Sequence, residues 1–172
     1  MIKKSKVVLL PCAEYDEEKI YVLLKKGLSL LDGIESLIPM NKKILLKPNL
    51  LKKAEVEKAV ITHPVVVGAF ARILREKGYK NIVLADSCGH GTTKSVIRGT
   101  GMDTYLEKYQ IPAIDYTEGI KVDYPQGIQA KEFILPKELL EQDCVISLSK
   151  NSAGSQGPAP GGLIGYEEIA AK

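Results

Sequence analysis

Four short stretches, far apart in the chain, carry the side chains with chemistry to offer. They are Cys12, the Lys47-Pro48-Asn49 turn, Thr62-His63-Pro64, and Asp86-Ser87-Cys88-Gly89-His90-Gly91-Thr92-Thr93. A lysine directly after an apolar strand places an ammonium where it can meet an anion; the same three residues also read as a simple turn. His63 and His90 offer two imidazoles, common metal ligands, although Thr62-His63-Pro64 equally reads as a helix start. Asp86 and Ser87 at a strand end can hold a cation, orient a hydroxyl or begin an Asx turn. Gly89-His90-Gly91-Thr92 can wrap backbone N–H groups around an anion, or serve only as a turn. It is not a dinucleotide fingerprint, because Lys94 stands at the third glycine position, and its spacing is not that of a P-loop. Cys12 and Cys88 can co-ligate a metal if their strands are neighbours. Cys144 begins its strand and points away from them.

The elements that position these residues follow from periodicity. Apolar runs at Val7–Pro11, Ile44–Leu46, Ile82–Ala85, Ile111–Tyr116 and Cys144–Leu148 read as strands. Weaker extended segments fall around Ile120–Tyr124 and Phe133–Leu135. Asp16 caps a helix whose inner face holds Ile20, Leu23, Leu24, Leu28 and Leu31, and Pro64 opens a second helix ending at Gly78. Short helices are expected around Gly99-Thr100-Gly101 and over Pro136–Glu141. Strands alternating with helices imply an α/β fold, a three-layer α/β/α arrangement with a mostly parallel sheet.

Ligands of such sheets bind beyond the carboxyl ends of the strands. Cys12, Lys47, Asn49, Asp86, Ser87, Cys88 and His90 all follow predicted strands, and His63 opens the next helix, so one shared rim is expected. Lys47, His63 and Asp86 are the catalytic candidates. Lys47, Asn49, Ser87, Gly89, Gly91 and Thr92 are candidates for an anion or substrate, and Cys12, His63, Asp86, Cys88 and His90 for a metal.

Bulk composition narrows the classes. A net charge of +3, aromatics at 6% and no tryptophan argue against a nucleic-acid surface. No apolar stretch is long enough to span a membrane. The basic start and Val7–Leu10 imitate a secretion signal, but Pro11 and Asp16-Glu17-Glu18 interrupt it, so a cytoplasmic location is expected. Three cysteines with no C-x-x-C pair do not make a disulfide scaffold. Residues 1–150 are expected to form a single, truncated α/β domain. Residues 151–172 read as a Gly/Pro-rich linker and an added tail, with a short helix over Leu163–Lys172.

The motifs Cys12-Ala13-Glu14-Tyr15-Asp16, Ile44-Leu45-Leu46-Lys47-Pro48-Asn49-Leu50, Val60-Ile61-Thr62-His63-Pro64 and Val83-Leu84-Ala85-Asp86-Ser87 occur in that order. In them the chain resembles the domain-of-unknown-function 362 family over roughly residues 5 to 150. The resemblance implies an iron–sulfur-associated protein: longer relatives join this domain to a ferredoxin-like module with two [4Fe–4S] clusters. Electron transfer with a redox partner is one implied role. This chain lacks the cysteine-rich run, and past Leu148-Ser149-Lys150 it departs from the relatives' lysine- and histidine-bearing segment. A metal- or anion-dependent enzyme acting on a small molecule is the alternative reading, and a folded interaction module a third.

Overall fold

The computed structural model describes residues 6–150 in full and Gly162–Glu168 as backbone. The first helix, α1 (Glu17–Leu30), starts where Asp16 accepts the Lys19 N–H at 2.9 Å, with Glu17 and Glu18 in its positively polarised first turn. A single turn, α2 (Ile34–Leu37), leads to β1 (Ile44–Pro48). Ile44, Leu45 and Leu46 are all buried, as expected of a central strand covered on both faces. A 3-10 turn over Val56–Lys58 precedes α3 (Pro64–Glu76), where Pro64 occupies the first position and needs no N–H partner. Next come β2 (Ile82–Leu84), α4 (Thr93–Ile97), α5 (Met102–Lys108), β3 (Gly119–Asp123), β4 (Glu132–Pro136), α6 (Lys137–Leu140), β5 (Cys144–Lys150) and β6 (Gly162–Glu168).

The main sheet runs β2-β1-β5-β6, with β1 parallel to both β2 and β5 and β6 antiparallel to β5. The expected α/β fold with a mostly parallel sheet is therefore present. One face carries the main core: Ile44, Leu46, Leu84, Ile146 and Leu148 pack against Phe70 and Leu74 of α3 and Met102 and Leu106 of α5. Helix α1 packs onto α3 through Ile20, Tyr21, Ala69 and Ile73. The opposite layer is thin, with Leu45, Ala85 and Val145 covered by Ile114, Tyr116 and Leu139 of α6.

Three expected elements differ. Val7–Pro11 has no strand partner among the described residues, and its side chains alternate between exposed and half-buried where they lie along the helices. Ile111–Tyr116 is reduced to one parallel bridge between Leu84 and Ala113, with Pro112 unable to donate to a ladder. Residues 162–168, where a short helix was expected, form β6 along the open edge of β5; pairing with a waiting strand overrides a weak local helix preference. The two weaker extended segments pair with each other as a separate β3–β4 hairpin. Residues 151–161, expected as linker, lie outside the described residues.

Open parallel sheets take ligands beyond the carboxyl ends of their strands. The chain leaves β1 toward β2 on one side and leaves β5 toward β6 on the other. The carboxyl ends of β1 and β5 therefore flank the point where the strand order reverses, the preferred crevice of open parallel sheets.

Candidate functional site

Alternation along β1 puts Ile44 and Leu46 toward the main core and Leu45 toward the thin layer, and Lys47 shares the face of Leu45. Lys47 is the fourth residue of β1, at its carboxyl end, and its side chain is part-exposed there. Its Nζ lies 2.6 Å from Asp86 Oδ1, with Lys47 42% exposed and Asp86 only 5% exposed. Asp86 Oδ2 accepts the buried Leu50 N–H at 2.7 Å. The Asp86 N–H donates to Thr93 Oγ1 at 3.2 Å, and the Thr93 hydroxyl donates back to the Asp86 carbonyl at 3.1 Å. One carboxylate thereby ties the end of β1 to the end of β2 and holds an ammonium at the rim.

Other groups adjoin this pair. Burial pushes the Tyr116 phenol up to about 12, reinforced by the negative charges of Asp86 and Glu138. Burial also pushes the Cys88 thiol up, with Asp86 adding to the effect, so the metal-free side chain favours the thiol over the thiolate. In the β1–β5 ladder Lys47 stands opposite Ser147, whose Oγ is 2.6 Å from Ser149 Oγ.

Thr62, read from the sequence as part of a helix start, instead ties two strand exits together. It is buried. Its Oγ1 accepts the Asn49 N–H at 2.8 Å and donates to the Leu148 carbonyl at 2.7 Å. The Thr62 N–H donates to the Asn49 carbonyl at 2.9 Å. This hydroxyl joins the exits of β1 and β5, and its only sequence signal is its place beside His63-Pro64. Asn49 is spent on the same turn, its side-chain amide donating to the Val60 carbonyl at 3.3 Å.

The glycine segment folds as a capped turn. Thr92 Oγ1 accepts the Ser95 N–H and Ser95 Oγ accepts the Thr92 N–H, at 3.3 and 2.8 Å. The Lys94 N–H donates to Asp115 at 2.9 Å. The donors that an anion at this helix start would need are thus engaged, in part by a carboxylate. A Cβ on Gly89 would lie 3.0 Å from the Leu51 side chain, which explains that glycine by close packing. Ser87 is exposed on the same loop.

The expected single rim divides. Lys47, Asp86 and Cys88 come together. Cys12 and His63 line a different cleft, between residues 6–15, α1 and α3. Cys12 is exposed there, its thiol turned to the Glu14 carbonyl at 3.1 Å. His63 caps α3, Nδ1 accepting the Val65 N–H at 3.3 Å, and stacks on Tyr15 at 3.9 Å between ring centres. His90 is exposed, its Nδ1 3.1 Å from the Gly89 carbonyl. Among the described residues no three His, Cys, Asp or Glu side chains gather into a set that could hold a metal ion, so Cys12, His63, Asp86, Cys88 and His90 do not form the expected ligand group. A [4Fe–4S] cluster does not fit either. It takes about four thiolates, whereas the chain has three cysteines. Of these Cys12 is exposed, and Cys144 is buried at the opposite end of the sheet beside the Lys43 carbonyl.

The family model described as Domain of unknown function (DUF362) matches residues 44–158. The chain belongs to the DUF362 family. The match opens with β1 and takes in Lys47, Thr62, His63 and Asp86 but not Cys12. The DUF362 chain is also similar to a thylakoid-associated protein of Synechocystis sp., 29% identical over 150 residues, which are 87% of this chain and 46% of that relative. It spans about half the length of the curated relative it matches. No solved structure matches it. Among the described residues no helix is long and apolar enough to cross a membrane.

Proposed function

We propose that this DUF362 chain binds a small anionic molecule at the carboxyl edge of its sheet. Lys47 is the charge that receives the ligand, and Asp86 is the group that orients Lys47. The observation that supports this most directly is the unequal ion pair: a buried carboxylate anchors an ammonium that stays 42% exposed at the carboxyl end of β1. An ammonium has three N–H donors, and Asp86 uses one. Ser147 supplies a neutral hydroxyl on the same face, and Tyr116 a phenol that stays protonated at physiological pH. A carboxylate or phosphate suits such a mouth, where a point charge needs no fixed fork geometry. Residues 6–150 with β6 act as one binding unit in this reading. The iron–sulfur association implied for longer relatives attaches to no residue of this chain, and cluster electrons, where relatives use them, come from elsewhere.

Calorimetric titration with a panel of phosphorylated and carboxylated metabolites tests the proposal. Binding by the parent that weakens about tenfold or more in Lys47→Met, the scale of one charge-assisted hydrogen bond, supports it. Binding that is absent throughout, or indifferent to that change, removes it.

A further inference from the structure

Residues 6–15 run over α1 and the start of α3 and enclose a cleft of about 720 Å³, within the usual range of roughly 300–1,000 Å³ for small-molecule sites. Its body is apolar, with Leu10, Leu24, Leu28 and Phe70 among its walls; Lys6, His63 and Lys150 are its basic lining groups, and Lys6 is paired with Asp32. We infer that this cleft is a second ligand site, for a molecule with an apolar body and a carboxylate or phosphate head held by His63 and Lys150.

The argument is independent of Lys47. Along β5, Leu148 faces the helical core, and Lys150 lies two residues on, on that same face. Ser147, the partner of Lys47, points to the opposite face. The two lysines therefore lie on opposite faces of the sheet near the same end, with Ser149, bonded to Ser147, also bordering the cleft.

The donor set follows from hydrogen bonding. Because His63 Nδ1 accepts the Val65 N–H, the proton of the neutral ring sits on Nε2. No partner of Nε2 occurs among the described residues, and the stacked Tyr15 ring fixes the plane of the imidazole. Burial, and then the positive charge of Lys150, pushes the His63 pKa down against the opposing charge of Glu57, which favours that neutral donor form. Lys150 has no carboxylate partner among the described residues, and partial burial lowers its pKa. Glu14, the acid that lines the cleft, is already paired with Lys19. A half-buried cation without a counter-charge, beside an N–H donor with no acceptor, is matched by an anionic head. The leucine-rich walls are matched by an alkyl or aryl tail.

Calorimetry on the full chain with dodecanoate, dodecyl phosphate, dodecanol and acetate, each below micelle formation, tests the inference. The two anionic amphiphiles are expected to bind, and comparing them tells which head is preferred. Dodecanol, lacking the charge, and acetate, lacking the tail, are expected to bind at least about tenfold more weakly. Lys150→Met is expected to weaken dodecanoate by about tenfold, and His63→Asn, which keeps an α3 cap, by somewhat less. Lys47→Met is expected to leave it unchanged. Absence of amphiphile binding, equal binding of dodecanol, indifference to Lys150→Met, or loss in Lys47→Met would each overturn the assignment. The last result would place the amphiphile at the other site.

Discussion

The Lys47 ammonium and the Asp86 carboxylate are in contact, yet one side chain is nearly half exposed and the other almost completely enclosed. The two ends of the pair therefore have different work. Asp86 also accepts the buried Leu50 N–H, so Asp86→Ala leaves that donor unpaired and is expected to cost about 2–3 kcal/mol of stability. Lys47→Met leaves a carboxylate that keeps one backbone donor, and the lost ammonium was 42% exposed; a cost of about 1 kcal/mol is expected. Urea unfolding of the two variants checks the inequality, and equal costs would contradict it.

Thr62 clasps β1 to β5. Thr62→Val keeps the shape but deprives the Asn49 N–H and the Leu148 carbonyl of their shared partner, an expected loss of about 2 kcal/mol. Thr62→Ser retains the hydroxyl and is expected to stay closer to the parent. Thermal denaturation of the pair separates the hydroxyl from packing.

The glycine turn predicts a contrast between neighbours. Gly91 has φ +87°, and a Cβ there would lie 2.7 Å from Ser95 Oγ. Gly91→Ala is expected to destabilise by about 1–3 kcal/mol. His90→Ala, one residue away and exposed, is expected within about 0.5 kcal/mol of the parent. Chemical unfolding of both variants checks that this segment is a structural turn.

His63 has its pKa depressed by burial first and by the charge of Lys150 second, below its ordinary value of 6.5. The folded state thus binds the proton less well than the unfolded state. The stability linked to this group is complete above 6.5 and is lost as pH falls through the lower folded value. His63→Asn, which retains a capping side chain, is expected to flatten the stability–pH curve in that window. Denaturant midpoints measured in half-unit steps from neutral pH downward read the slope, and an unchanged slope would contradict the assignment.

The helices and parallel strands were legible because their signals are local: Asp16 and Pro64 mark helix starts, and Ile44–Leu46 and Ile82–Leu84 are short apolar runs. Val7–Leu10 carries the same strand signal, but a strand needs a partner, and pairing is a long-range property that composition does not encode. Val7 and Leu9 remain 73% and 81% exposed, and placing Cys12 at a strand tip failed with that element. The meeting of Lys47 and Asp86 was foreseeable from the rule of strand ends, because Lys47 lies at the end of β1 and Asp86 just beyond β2, and the two strands are neighbours. The role of Thr62 was not, since it depends on an antiparallel bridge between Leu50 and Ile61 that folds the chain back after β1. Lys150 went unnoticed as a site residue because its surroundings are assembled from the chain's beginning and α3, far away in sequence.

The central claim is that the crevice between β1 and β5 receives an anion through Lys47. Amide chemical-shift mapping during titration with inorganic phosphate tests it most directly. Shifts concentrated at Lys47–Leu50, Asp86 and Ser147 that disappear in Lys47→Met are expected. Shifts confined to other surfaces, or a pattern unchanged by Lys47→Met, would contradict the claim.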